Sequence, residues 1–111
     1  MKNKICIIGL GYVGFPLFLE LKKKNFKVIG FDNNKKKIKK LKKNFSSPKK
    51  IIFTSSKSDI KNCNVYIICV PTPLNDSLEP DTSFIDSAVS TIISVIKNGD
   101  LIIFESTCYP G

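Results

Sequence analysis

Histidine and arginine are both missing from this 111-residue chain, and each absence removes a class of chemistry. Without histidine, neither a Ser-His-Asp triad nor a histidine-bearing metal site can be assembled from its residues. Without arginine, all the basic charge falls on lysine, and the guanidinium fork of many nucleic-acid readers has no counterpart. Long apolar runs are lacking too. None approaches the roughly 20 residues of a membrane span, and Lys2 to Ile8 is too short and too strand-like for a signal peptide, so a cytoplasmic protein with no membrane partner is expected. The four cysteines, Cys6, Cys63, Cys69 and Cys108, contain no C-x-x-C pair. Cys6 and Cys69 fall inside apolar runs, which favours structural thiols and offers no metal site. Length is limiting as well, being enough for one small domain with a core and too little for two.

What is present is lopsided. The net charge is +9, and most lysines lie between Lys22 and Lys61, whereas the segment after Asn62 carries Asp76, Glu79, Asp81, Asp86, Asp100 and Glu105 against Lys97 alone. Lys35-Lys36-Lys37, Lys39-Lys40, Lys42-Lys43 and Lys49-Lys50 could be read as a nucleic-acid surface. No aromatic ladder or helix-turn-helix spacing accompanies them, which argues against that partner. Lysine at this density, together with many Asn and Ile residues, fits a solvated helix face and the coding bias of an A/T-rich genome. One or two of these lysines can still help to hold the phosphates of an anionic ligand.

The organising stretch is Gly9-Leu10-Gly11-Tyr12-Val13-Gly14, which follows the apolar run Ile5-Cys6-Ile7-Ile8 and opens a helical pattern. Gly9 suits a tight turn off a strand, Gly11 has no Cβ to block a pyrophosphate, and Gly14 lets the helix pack closely on the strand. The helix then points its free N–H groups, equivalent to roughly half a positive charge, at the ligand. A G-x-G-x-x-G alone is a weak signal. Its weight here comes from the strand before it, the helix after it and Asp32 at the end of the next apolar run, Val28-Ile29-Gly30-Phe31.

Taken in order, the chain alternates strand and helix. Lys4 to Ile8 predicts a strand buried on both faces. A helix over Tyr12 to Lys24 follows, with Val13, Leu17 and Leu21 on one face, Phe18 beside them, Pro16 in its first turns and Asn25 as a stop. Lys27 to Phe31 predicts the second strand. Asp32 or Asn33 can cap a helix from Lys35 to about Asn44, anchored by Ile38, Leu41 and Phe45. Ser46-Ser47-Pro48 breaks it, Ile51 to Thr54 predicts a short third strand, and Ser58 to Asn62 a single turn. Val65 to Val70 predicts the fourth strand, ended by Pro71-Thr72-Pro73 and a long polar loop of the kind that carries function. Asp81, Thr82 or Ser83 can cap a helix reaching about Lys97, with Ile85, Val89, Ile92, Ile93 and Ile96 directed inward. Leu101 to Phe104 predicts the fifth strand.

Five strands with helical crossovers imply an α/β fold with a doubly wound parallel sheet, in spatial order 3-2-1-4-5. Ligands in such sheets bind beyond the carboxyl ends of the strands. That edge collects Gly9 to Gly14, Asp32, Val70-Pro71-Thr72-Pro73 and Ser106-Thr107. A carboxylate at the end of the second strand accepts hydrogen bonds from ribose hydroxyls and repels a 2'-phosphate by about 4 kcal/mol at ~4 Å and an effective dielectric near ~20. NAD is therefore favoured over NADP, with Lys35 to Lys37 able to neutralise part of an extra phosphate. Asp32 could also serve simply as a helix cap.

Gly9 to Gly14 with Pro16-Leu17, Gly30-Phe31-Asp32, Val70 to Asn75 with Glu79-Pro80-Asp81, and Glu105 to Gly111 together resemble the NAD-binding, Rossmann-like domain of the nucleotide-sugar (UDP-glucose/GDP-mannose) 6-dehydrogenases. Pro73-Leu74-Asn75, Glu79-Pro80-Asp81 and Tyr109-Pro110-Gly111 are similar to the branch acting on UDP-N-acetylglucosamine or its galactosamine epimer, made by bacteria for surface polysaccharides. The resemblance implies a two-step oxidation of a sugar C6 alcohol to a carboxylate, with two NAD reduced in turn. It places the glycine loop, including Gly11, Tyr12 and Val13, on the pyrophosphate, Asp32 on the adenosine ribose and Lys37 on the adenosine side. By the same resemblance Val70, Pro71, Thr72 and Ser106 touch the coenzyme, and Thr107 sits near the nicotinamide and the catalytic water as an accessory catalytic residue.

Members of that family are several times longer, and the similarity covers only their opening part. The nucleophilic cysteine, the oxyanion-stabilising lysine and asparagine, the sixth strand and the UDP-sugar pocket all fall beyond the similarity. Residues 1–111 are accordingly expected to form an incomplete NAD-binding domain, a fragment or truncated product that binds coenzyme without turnover. Cys108 lies near the ligand edge, but no base accompanies it and a packing role is expected. Two other readings stay open, a non-catalytic nucleotide-binding module and a basic RNA-associated protein. The open fifth strand is expected to favour homodimerisation or aggregation.

Overall fold

In the computed structural model, residues 3–45 and 52–105 are described. The elements run β1 (Lys4–Ile8), α1 (Gly14–Lys23), β2 (Lys27–Phe31), α2 (Lys35–Asn44), β3 (Phe53–Thr54), a 3₁₀ turn (Lys57–Asp59), β4 (Val65–Ile68), α3 (Ser83–Ile93) and β5 (Leu101–Phe104). The strands form one sheet in the order β3-β2-β1-β4-β5, every pairing parallel. This is the topology expected of alternating apolar strand runs and helical patterns, because each crossover must return the chain to the same end of the sheet.

Alternation along β1 divides the core into two layers. Ile5 and Ile7 point to one face, where Phe18 of α1, Ile38 of α2 and Phe53 of β3 cover them. Cys6 and Ile8 point to the other, against Tyr66 and Ile68 of β4, Ile60, Cys63, and Ala88 and Ile92 of α3. A strand covered on both sides has no polar face to spare, which is why β1 reads as an unbroken apolar run. Cys6, Cys63 and Cys69 are free, buried thiols, as expected of structural cysteines. Among the described residues, no helix is long and apolar enough to cross a membrane.

Several boundaries depart from the sequence expectation. α1 begins at Gly14, because Tyr12 and Val13 still belong to the turn. Its end agrees: Asn25 takes a left-handed conformation (φ 65°) and its N–H donates to the Lys22 carbonyl at 3.0 Å. Neither Asp32 nor Asn33 caps α2. Asn34 does, its Oδ1 accepting from the Lys37 N–H at 3.1 Å. β4 ends at Ile68 rather than Val70. The largest correction concerns α3, which stops at Ile93 rather than near Lys97. Its buried line is Ala88, Thr91 and Ile92, so Ile93, about 100° further round the helix, is 67 % exposed, and Ile96 beyond the helix is 39 % exposed. Asp81 supports the start of α3 by accepting from the Ser83 N–H at 2.9 Å, while Thr82 holds the cap position without a side-chain cap. Ser46 to Ile51, Ser106, Thr107 and Cys108 lie outside the described residues.

Candidate functional site

The carboxyl ends of β1, β2 and β4 surround a cavity of about 870 Å³, closed on one side by α3. Its floor is the turn between β1 and α1. Gly9 lies at φ +99°, a conformation side-chain-bearing residues rarely adopt, and its N–H donates to the Phe31 carbonyl at 2.8 Å. At Gly14 a Cβ would fall inside the Gly9 carbonyl oxygen, so close approach of α1 to the turn demands glycine there as well. Gly11 is different. Its φ is not in the left-handed range, and a Cβ would meet nothing within 4 Å. Neither backbone conformation nor packing asks for glycine at that position, yet the residue lies on the cavity floor beside Tyr12 and Val13. The first turn of α1 has no side-chain cap and no acidic residue, which leaves the positive end of the helix dipole uncompensated.

Asp32 closes the end of β2. It is buried and anchored: Oδ2 accepts from the Leu10 N–H at 3.0 Å and from Lys37 Nζ at 3.3 Å, and Oδ1 accepts from the Asn34 N–H at 3.0 Å. One carboxylate thereby ties the glycine turn to the start of α2. Lys37 extends from the first turn of α2 to the cavity wall and forms an ion pair with it. Each carboxylate oxygen has two acceptor positions, so Oδ1 retains one for a hydroxyl group.

Cys69, Val70 and Pro71 bring the end of β4 into the wall. Burial, reinforced by the Glu105 carboxylate, pushes the Cys69 thiol up to about 11. It stays protonated near neutral pH and is a poor nucleophile. α3 completes the enclosure through Ser83, Phe84, Ser87, Ala88 and Thr91.

Of the residues singled out in the sequence, Gly9, Gly11, Tyr12, Val13, Asp32, Lys37, Val70 and Pro71 line this one cavity. Gly14 supports it from behind, and Thr72 does not form part of its wall. Ser106 and Thr107 fall outside the described residues. The α3 side chains, Asn33 and Asn34 were not singled out as site residues. Those of α3 approach from the opposite layer after a long loop, and no local motif marks them.

An open glycine floor, an uncapped helix start, one lysine and one anchored acid make a receptacle for an anionic ligand bearing hydroxyl groups. A dinucleotide diphosphate has that chemistry. Residues 3–111 match the UDP-glucose/GDP-mannose dehydrogenase family, NAD binding domain. The UDP-N-acetyl-D-glucosamine 6-dehydrogenase of Salmonella typhi is 44 % identical over 119 residues, covering 97 % of this chain and 28 % of that protein. The UDP-N-acetyl-D-mannosamine dehydrogenase of Methanocaldococcus jannaschii is 37 % identical over 124 residues, covering 98 % and 29 %. Among solved structures, the UDP-D-ManNAc dehydrogenase of Pyrococcus horikoshii superposes with a TM-score of 0.83 at 33 % identity, covering 97 % of this chain and 29 % of that one. The chain thus spans between a quarter and a third of the length of these relatives.

Proposed function

The chain belongs to the UDP-glucose/GDP-mannose dehydrogenase family through its NAD binding domain, and from that membership we propose that it is the coenzyme-holding portion of a cytoplasmic UDP-N-acetylhexosamine 6-dehydrogenase serving surface polysaccharide synthesis. The overall reaction would take a primary alcohol, two NAD and one water to a carboxylate, two NADH and three protons. NAD supplies the hydride acceptor for each of the two oxidations.

The chain's own residues bind and orient. The backbone around Gly11 and Val13, at the start of α1, receives the diphosphate, where N–H groups and the helix dipole favour negative charge. Asp32 takes a ribose hydroxyl on the free position of Oδ1. Lys37 offsets the charge of Asp32 and lends a cation to the adenosine side. Val70 and Pro71 flank the coenzyme just beyond β4, and Thr72, which does not line the cavity, is assigned to it by resemblance alone. Thr107, with Ser106 beside it, is assigned to the nicotinamide side and the catalytic water by resemblance alone.

Turnover would also need a bound sugar. Hydride transfer requires the sugar carbon and the coenzyme in near-attack contact at about 3 to 3.5 Å, and among the described residues none is assigned to a UDP-sugar. We therefore assign residues 1–111 to coenzyme binding without catalysis, the substrate-binding and central domains not being among them.

The observation that carries this reading is the vacant space over Gly11, a glycine that the fold itself does not require. Calorimetric titration with NAD tests it. Saturable 1:1 binding to the purified chain, with no NADH formed on adding a UDP-sugar, is the expected result. No binding would remove the coenzyme assignment, and NADH formation would remove the claim that the catalytic half lies elsewhere.

A further inference from the structure

Asn33, the residue after Asp32, lines the cavity, and its Nδ2 donates to Ser87 Oγ of α3 at 3.4 Å. That bond is near the geometric limit and therefore weak, and both residues are exposed, so another ligand can displace it at little cost. Two polar neighbours are held more firmly: Asn34 Oδ1 accepts from the Lys37 N–H at 3.1 Å, and the Thr91 hydroxyl donates to the Ser87 carbonyl at 3.0 Å. Asn33 brings a carboxamide to the wall that a long, exchangeable contact holds. Phe84, also exposed, adds an aromatic surface.

We propose that Asn33 reads the base of the dinucleotide, selecting adenine through a paired donor and acceptor, and that Ser87 keeps its amide in position until the base arrives. This rests on the coenzyme reading above, since a ribose on Asp32 puts the attached base beside the next residue of the chain. On its N6/N7 edge adenine presents an amino donor next to a ring-nitrogen acceptor, and a carboxamide matches that pair with its oxygen and its NH₂. Hypoxanthine presents two acceptors, O6 and N7, on that edge. Whichever way the carboxamide turns, one of its arms then meets a group of the wrong kind.

Calorimetric titration of the full chain with NAD and with nicotinamide hypoxanthine dinucleotide, which differ only in that 6-substituent, provides the test. NAD is expected to bind about 5- to 10-fold more tightly, the worth of one hydrogen bond and one avoided mismatch. Asn33→Ala is expected to bring the ratio to about 1, and Asn33→Asp, which loses the NH₂ donor but keeps an acceptor for the adenine amino group, to weaken both dinucleotides and keep a preference for NAD. Ser87→Ala is expected to move both affinities together and preserve the ratio. Far-UV circular dichroism checks that each variant folds. Equal affinities in the unaltered chain would overturn base reading while leaving the coenzyme site intact. Binding of neither dinucleotide would overturn the coenzyme site itself, and this inference with it. Retention of the ratio in a folded Asn33→Ala variant would overturn the assignment to Asn33.

Discussion

Gly11 and Gly14 belong to one turn and do opposite work, and substitution separates them. Gly11→Val puts a side chain into the open space above the floor. Its melting temperature is expected to stay within about 2 °C of the parent while NAD affinity falls at least ~10-fold, as calorimetry would show. Gly14→Ala drives a methyl group into the Gly9 carbonyl and is expected to cost about 2 kcal/mol or more in urea unfolding. Asp32 joins fold and site. Asp32→Ala removes the acceptor of the Leu10 and Asn34 amides, so both stability and NAD affinity are expected to fall, each by about 1 to 3 kcal/mol. Lys37→Ala leaves the acid uncompensated, and the preference for NAD over NADP measured by competitive binding is expected to rise several-fold. The glycines and Asp32 were legible in the sequence because their demands are local to a strand, a turn and a helix start. The ion pair between Lys37 and Asp32 was not. Within a run of three lysines, only the register of α2, set by Asn34 as its cap, decides which one turns toward the acid.

At the scale of elements, every strand was readable as an apolar run, while the length of α3 was not. Its isoleucines continue the apolar pattern past Ile93, but the chain leaves the helix there, turns, and enters β5 after Asn98-Gly99. A cation holds that turn. Lys97 Nζ donates to the carbonyls of Lys61 and Cys63 at 2.6 and 3.0 Å and pairs with Asp100 Oδ2 at 3.3 Å, linking the entry to β5 to the entry to β4. Lys97→Met keeps the aliphatic stem and removes the ammonium group. It is expected to lower the stability measured in urea by about 1 kcal/mol, leaving the Lys61 carbonyl to find water, whereas the Cys63 carbonyl keeps the Tyr66 hydroxyl and Asp100 keeps the Lys97 backbone N–H. The role was hidden in the sequence because the carbonyls it serves lie more than thirty residues away. β5 itself keeps Leu101 54 % and Phe104 58 % exposed on an edge with no lysine within it. Such an edge invites pairing with another chain. Sedimentation velocity of the 111-residue chain is expected to show reversible self-association, reduced by Phe104→Lys.

Across the molecule, buried acids of the weak kind make the fold sensitive to alkali. Burial and the Glu105 carboxylate push Cys69 up to about 11, and burial, with the Cys63, Asp100 and Cys6 groups nearby, pushes Tyr66 up as well. The bond between the two thiols, with burial, raises Cys6, and the same bond lowers Cys63. A raised pKa means that the folded chain holds a proton the unfolded chain has already released. Stability is therefore full below about pH 9 and declines as the pH rises through about 11, where the folded Cys69 thiol ionises. Urea midpoints taken from pH 7 upward check the sign, and Cys69→Ala is expected to flatten the decline. The sheet order and the two core layers followed from the sequence because strand alternation and right-handed crossovers admit few topologies. The contribution of α3 to the cavity did not follow. It depends on which residues of a helix on the far layer overhang the strand ends, and that is settled by packing alone.

The Leu10 amide bond to Asp32 fastens the glycine turn to the end of β2 before any guest arrives. The crevice is thus a mould set in advance, and little loop freedom is left to be lost on filling it. Arrival is then governed by diffusion and orientation rather than by a slow rearrangement, and differences among guests are expressed in how long each one stays.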